Sequence, residues 1–527
     1  MKKNNLILMI KRFKNNHNVA YYDHNNGKTF SEIYSEIKSI LNYFDFKGMT
    51  KGKKVISLMD KAFSEFSLFY ACLLKGVAFC PLDNNTPSNR LSMIISDVNP
   101  DFIVADDFYI GDESSFREDL LIHKDCIVSN GEFISPLEHD IYYEDSLITD
   151  YTDTVAYIIF TSGSTGKPKG VQITHDNFNS FIDALYPQYV SEKPEKYLSI
   201  GPLYFDMTIL DSILPPLYGH SVYLYKPPFI PNIFANIIER YNITRFSCVP
   251  SVLKILLPQL SEGGVFNQLK SLNLILLGAE KPNEQSIKTL LENIPQLKVI
   301  NAYGPTEGTM CCFSSEITSD NVTKDISIGK PFRGLEYILE TSSGYSKFGE
   351  GKLLISGNQI MKGYINHSQC DDPFIFHNGV KYYDTNDIVK VGDDGIFYFI
   401  GRSDDEVKLN GFRVHLQDVE MNIKKLLNIG NIFLHKYSTN SKDYLVLSYE
   451  ENSIVDPNEC FINLEKLLPK YMVPNIFLVF KSLPRLRNSK LDRSKIQSIV
   501  NEKIESSNKT LPSSRFITLK IQSFLLS

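Results

Sequence analysis

Residues 161–170 read Thr-Ser-Gly-Ser-Thr-Gly-Lys-Pro-Lys-Gly and follow directly on the apolar run Val155 to Phe160. A strand that empties into a loop of glycines, hydroxyls and lysines is suited to an oxyanion. Backbone N–H groups of a glycine loop can turn inward as an anion nest, hydroxyls add donors, and lysine adds charge. The expected ligand is a nucleoside triphosphate. Composition alone would favour a flexible strand-to-helix linker; Lys167 and Lys169 around Pro168 shift the balance to the phosphate reading.

The loop is not of the Walker A type. Two residues separate Gly163 from Gly166, and Pro168 follows Lys167 where that motif needs Ser or Thr. No G-x-G-x-x-G, G-x-S-x-G, H-E-x-x-H or C-x-x-C occurs, so dinucleotide binding, a hydrolase elbow and structural zinc lack their usual signatures.

At 527 residues the chain is long enough for two to four domains. Its net charge of −6 argues against general nucleic-acid binding. The eight cysteines are scattered, several in apolar stretches, which suits reduced thiols and a cytoplasmic setting. The apolar run after Lys2 and Lys3 ends at Lys11, too short for a signal segment, and no run of about 18 apolar residues predicts a membrane span.

Apolar spacing predicts a helix over 28–45 with Ser31 as its N-cap, and a second over 62–75. Short β-prone runs near 55, 102, 155, 222, 246, 272 and 299 alternate with helix-like segments. That alternation predicts an α/β fold with layered, largely parallel sheets. Between about 325 and 400, frequent glycines predict a small antiparallel β subdomain. The expected organisation is a core over 1–402, a small mobile α+β domain over 403–508, and a tail of unclear status over 509–527.

Four further segments stand in a fixed order: Asn301-Ala302-Tyr303-Gly304-Pro305-Thr306-Glu307, Tyr383-Asp384-Thr385-Asn386-Asp387, Gly401 to Lys408, and Asn488-Ser489-Lys490-Leu491-Asp492-Arg493. With the loop at 161 they resemble the adenylate-forming superfamily of acyl-CoA synthetases, nonribosomal peptide adenylation domains and luciferases. Phe205-Asp206-Met207-Thr208 and Gly170 to Asn177 are similar to its amino-acid-activating branch, which includes stand-alone D-alanine:carrier-protein ligases.

The resemblance implies ATP and Mg²⁺ as cofactors. It implies ATP contacts from Thr161, Ser162, Gly163, Ser164, Thr165, Gly166, Lys169, Ala302, Tyr303, Gly304, Thr306, Asp387, Arg402 and Lys490. Lys490, Thr165 and Glu307 would serve catalysis, with Glu307 as the Mg²⁺ ligand, Tyr303 on adenine and Asp387 on the ribose hydroxyls. Asp404 would be the hinge about which the small domain swings, and Lys408 would come to the site after the swing. Asn386 and Ser489 stand where the family usually has glycine, and asparagine tolerates left-handed backbone.

Asp206 would bind the α-ammonium group of an amino acid. Met207, Leu210, Ser247, Ile275, Leu277, Ala302, Met310 and Cys311 would line its side-chain pocket. None is charged, and the expectation is a small or medium aliphatic amino acid. Activation as aminoacyl-AMP would be followed by transfer to the phosphopantetheine thiol of a separate carrier protein. The alternatives are an acyl-CoA ligase and a catalytically impaired nucleotide-binding protein of the same fold.

Overall fold

The computed structural model describes residues 10–106, 121–123, 128–129, 132–133, 153–162, 167–189, 191–226, 230–262, 265–323, 325–365, 372–427, 432–439, 442–450, 457–485, 491–506 and 517–521. The chain divides into two compact units. One comprises Met1–Asn84, Ile95–Thr161 and Lys169–Ser403; the other comprises Asn85–Ile94, Ser162–Pro168 and Asp404–Ser527.

The first unit contains three large sheets and a two-stranded one, Val128–Ser129 with Glu132–Phe133. Val155–Thr161 (β1) and Lys169–Thr174 (β2) are the antiparallel strands that flank the glycine loop. They belong to a seven-stranded sheet in which Ala78–Pro81, Lys54–Leu58, Phe102–Ala105 and Leu121–His123 continue in parallel from β1. Gly363–Tyr364 pairs with the far edge of β2. Its central strands are near-continuous buried runs rather than alternating ones, as a sheet covered on each side requires.

The second sheet runs through Lys196–Ser199 (β3), Ser221–Leu224 (β4), Arg245–Cys248 (β5), Leu274–Leu277 (β6), Lys298–Tyr303 (β7) and Phe313–Ile317 (β8). Its spatial order is β8, β7, β6, β5, β3, β4, followed by Val19–Tyr22 and Gly27–Thr29. β4, β3, β5, β6 and β7 are parallel, and β8 is antiparallel. Sequence order therefore reverses between β3 and β5: from β3 the chain steps outward to β4, then returns past it to β5.

The third sheet is the small antiparallel one expected from the glycine pattern. Its longest strand is Val380–Val391 (β9), which pairs with Gly349–Gly357 and with Phe397–Arg402 (β10). The second unit carries its own four-stranded sheet, Ile432–Ser438, Asp443–Glu450, Ile476–Phe480 and Ile517–Ile521.

The early helix spans Phe30–Phe46, and its N-cap is Thr29 rather than Ser31. Thr29 and Glu32 form a capping box: the Glu32 N–H donates to Thr29 Oγ1 at 3.2 Å, and the Thr29 N–H donates to the Glu32 carboxylate at 2.7 Å. The reciprocal pair satisfies two helix-end donors, which Ser31 could not do without a Glu or Gln three residues on. The second helix, Phe63–Lys75, ends at Gly76 in the left-handed region.

Candidate active site

In open α/β sheets, ligands bind outside the carboxyl ends of strands where the order reverses, because neighbouring connections leave to opposite faces and open a crevice. The β3/β5 position meets that description. The β3–β4 connection contains Met207–Ser212 (α1), whose Leu210 joins the large core cluster; the β4–β5 connection contains Pro231–Tyr241, whose Phe234 and Ile238 join a separate cluster on the other face. Asp206 lies at the start of α1 and accepts from the Met207 N–H at 2.7 Å. It is only partly buried. Its charge helps raise the pKa values of the Tyr157 hydroxyl and Cys311 thiol, after burial as the larger cause.

Met207, Gly278 and Ala302 come together. A Cβ added at Gly278 would lie 3.1 Å from Met207 Sδ and 3.5 Å from the Ala302 carbonyl oxygen. Met310 and Cys311 are buried in the same core cluster as Leu210 and Ala302. Gly304 lets their turn close against β7: a Cβ there would lie 2.5 Å from Cys311 Cα, and the Cys312 N–H donates to the Tyr303 carbonyl at 2.7 Å. Thr309 and Met310 both have positive φ, 57° and 71°.

The structure separates the remaining pocket residues assigned from sequence. β5 and β6 pair with Ser247 opposite Leu276, so these two share a face. Ile275 and Leu277 point to the other face and pack in the cluster with Phe246 and Leu290. Strand alternation thus assigns Leu276 to Ser247's side, in place of Ile275 and Leu277.

Ala302 and Tyr303 are consecutive at the end of β7, and Tyr303 faces a different set of groups. Its hydroxyl donates to Asp387 Oδ2, and Arg402 donates to Asp387 Oδ1 at 2.7 Å. All three side chains are nearly buried. Burial, then the neighbouring carboxylate, raises the Tyr303 pKa and keeps the hydroxyl protonated. The ring packs edge-on to Phe313 at 5.7 Å and tilted to Phe399 at 6.2 Å. Asp387 and Arg402 are directly paired across β9 and β10. Asn386 just before has φ 56°, the left-handed conformation that glycine usually supplies in this motif.

Glu307 lies in the short helical turn Thr306–Gly308, 1% exposed. The Tyr364 hydroxyl donates to its Oε1 at 2.7 Å, and the Lys169 ammonium lies 5.2 Å from the centre of the Tyr364 ring. Lysine, aromatic ring and carboxylate thus form one contiguous group on β2 and its neighbours. Thr161 ends β1, and its hydroxyl donates to the Lys169 carbonyl at 3.5 Å. The Ser162 hydroxyl donates to the Arg413 carbonyl at 2.7 Å within the second unit. Asp404, also there, accepts from the Glu406 N–H at 3.3 Å, and Lys408 lies on the strand Glu406–Leu409. Gly163, Ser164, Thr165, Gly166 and Lys490 lie outside the described residues.

Sequence reasoning missed Tyr364, and it missed a buried polar group behind the pocket. Asp211 Oδ1 accepts from the Ser247 hydroxyl at 2.7 Å and the Tyr189 hydroxyl at 3.0 Å, while Oδ2 accepts from the Ser247 N–H at 3.1 Å. Burial pushes the Asp211 pKa up to about 7, against the opposing effect of those bonds and of Lys61. An acid one turn after Met207, on the same helical face, was the signal available.

The AMP-binding enzyme family model matches residues 11–365, and the chain belongs to that family. The D-alanine–D-alanyl carrier protein ligase of Staphylococcus aureus is 30% identical over 444 residues, covering 81% of this chain and 85% of the relative. The Vibrio cholerae adenylation domain AlmE, solved in complex with glycyl-adenosine-5'-phosphate, shares the fold with a TM-score of 0.80 at 21% identity, over 94% of this chain and 97% of that one. The o-succinylbenzoate CoA synthetase MenE of Bacillus subtilis gives 0.76 at 21% identity, over 93% and 98%. No helix among the described residues is long and apolar enough to cross a membrane.

Proposed function

We propose that the protein activates an amino acid with ATP, releasing pyrophosphate and forming an aminoacyl-AMP, and then passes the acyl group to the phosphopantetheine thiol of a separate carrier protein. The observation that carries this reading is Asp206 at the start of α1 in the β3–β4 connection, next to Met207, whose sulfur packs beside Gly278 near the Ala302 carbonyl. A carboxylate there offers a charge-assisted partner to an α-ammonium group, and an acid without the amine would leave it unpaired. The names of the Staphylococcus aureus relative and of the AlmE complex support the same class of substrate.

In this reading the substrate carboxylate attacks the α-phosphorus of ATP as pyrophosphate departs. Such a reaction depends on positioning and charge neutralisation. Asp387, oriented by Arg402 and Tyr303, would accept from the ribose hydroxyls. Lys169 and the glycine loop would hold the departing phosphates, and Lys490 would stabilise charge at the reacting carboxylate and α-phosphate. Glu307 is a hard oxygen donor held by Tyr364, a donor type that fits Mg²⁺. The ion, when bound through Glu307, would offset phosphate charge. Asp404 would serve as the hinge between two half-reactions. The buried thiols Cys72, Cys80, Cys311 and Cys312 agree with a cytoplasmic setting.

ATP–pyrophosphate exchange over a panel of amino acids and their des-amino acids tests the proposal. Exchange with amino acids, with kcat/KM greatly lowered but still measurable in Asp206→Ala, is the expected result. Exchange with plain carboxylic acids alone, with thioester formed on free CoA, would replace it by an acyl-CoA ligase.

A further inference from the structure

We propose that Asp211 is a positioning residue for amino-acid recognition, acting through Asp206; this rests on the amino-acid reading of the site. The parallel ladder between β3 and β5 reaches Leu198 opposite Phe246. One residue further along β5, the Ser247 N–H points to the place the ladder has left, and Asp211 Oδ2 takes it at 3.1 Å. The same carboxylate takes the Ser247 and Tyr189 hydroxyls through Oδ1. Three donors from β5 and from the helix His175–Tyr189 thereby converge on one side chain of α1.

α1 has only six residues, too few for its own hydrogen bonds to hold its orientation. The Asp211 bonds contribute to that hold, beside the Ser199–Ser212 hydroxyl pair at 2.5 Å and the Tyr21 hydroxyl that donates to the Ser212 carbonyl at 2.6 Å. Nearby, the partly buried Lys61 ammonium donates to the carbonyl of Ser199, the last residue of β3, at 2.7 Å. Asp206 stands five residues before Asp211, about 7.5 Å along the helix axis at 1.5 Å per residue. Pinning the far end of so short a helix to β5 fixes the direction of the carboxylate at its near end. A network serving only stability would act on every property of the enzyme alike. A positioning role acts on selection for the amine.

A double-mutant cycle in the exchange assay separates these roles. Asp211→Ala is expected to raise the amino-acid KM at least tenfold while the ATP KM stays within twofold. It is also expected to reduce the preference for an amino acid over its des-amino analogue. In an Asp206→Ala background the same substitution should change kcat/KM less than twofold, because the group it positions is gone. Tyr189→Phe, which removes one donor and keeps the ring, should show the same pattern in smaller measure and serves if Asp211→Ala does not fold. Equal losses in both backgrounds, or an unchanged preference for the amine, would overturn the positioning role while leaving amino-acid activation standing. Absence of exchange with every amino acid in the unmodified protein would overturn both.

Discussion

The Tyr364 hydroxyl donates to Glu307 Oε1 at 2.7 Å, from a ring whose centre lies 5.2 Å from the Lys169 ammonium. One aromatic side chain therefore links the lysine after the glycine loop to the carboxylate proposed above as the Mg²⁺ ligand. Tyr364→Phe keeps the ring and removes the hydrogen bond, so Glu307 loses an orienting donor. The Mg²⁺ concentration for half-maximal exchange should rise several-fold while the amino-acid KM holds; a Mg²⁺ titration of both proteins reads the difference.

Asn386 adopts φ 56° immediately before Asp387. Glycine should be accepted there with a change of a few tenths of a kcal/mol, since it removes the steric cost of left-handed backbone. Asn386→Val should cost about 1–2 kcal/mol and raise the ATP KM, because a β-branched residue resists that conformation. Thermal melts and exchange kinetics on the two variants provide the comparison.

Gly304→Ala would press a methyl group onto Cys311 Cα and the Cys312 nitrogen, at 2.5 and 2.7 Å. Both are backbone atoms, so the turn must move, and with it the Cys312 N–H to Tyr303 carbonyl bond. Stability should fall by about 1–3 kcal/mol, as for overpacked sites. The amino-acid kcat/KM should fall at least tenfold in the exchange assay.

His175 is 2% exposed, and burial pulls its pKa down from 6.5 to about 3, helped by Lys51. The unfolded chain therefore binds the proton more readily between those values, so stability falls as pH drops below about 6.5 and the loss is complete near 3. Between pH 7 and pH 5 this one residue should account for about 2 kcal/mol. His175→Gln should flatten the fall in melting temperature over that interval; an unchanged slope would show that His175 does not control it.

If Lys490 has the role proposed above, Lys490→Ala should reduce exchange about 10²–10³-fold, the cost of removing one charge from a reacting centre. ATP binding should weaken far less. Equilibrium binding beside single-turnover adenylation distinguishes the two effects.

Features written in contiguous residues were legible from the chain. The strand leading into the loop at 161, the glycine-rich antiparallel sheet and the asparagine able to replace glycine at 386 each depend on neighbours within a few positions, whereas the strand Lys169–Thr174 after the loop was not foreseen. What was missed depends on register between distant segments. Ile275 and Leu277 leave Ser247's face because β6 pairs with β5 in one register, and a shift of one residue would reverse the assignment. Asp211 itself is visible one turn after Met207, but it meets Ser247 36 residues later and Tyr189 22 residues earlier, so no local pattern announces its partners. Thr29 displaced Ser31 as the cap because Glu32 completes its box, a signal that was present and passed over.

The crevice has two kinds of wall. Met207, Ala302 and Met310 contribute contacts that another apolar residue of similar volume can replace, whereas the Asp206 and Asp211 ends of α1 are held by directional bonds to the backbone. On the proposed reading, substitutions among those few apolar side chains would change the preferred acid, while the Asp206 carboxylate and the Asp387–Arg402–Tyr303 group would stay as they are.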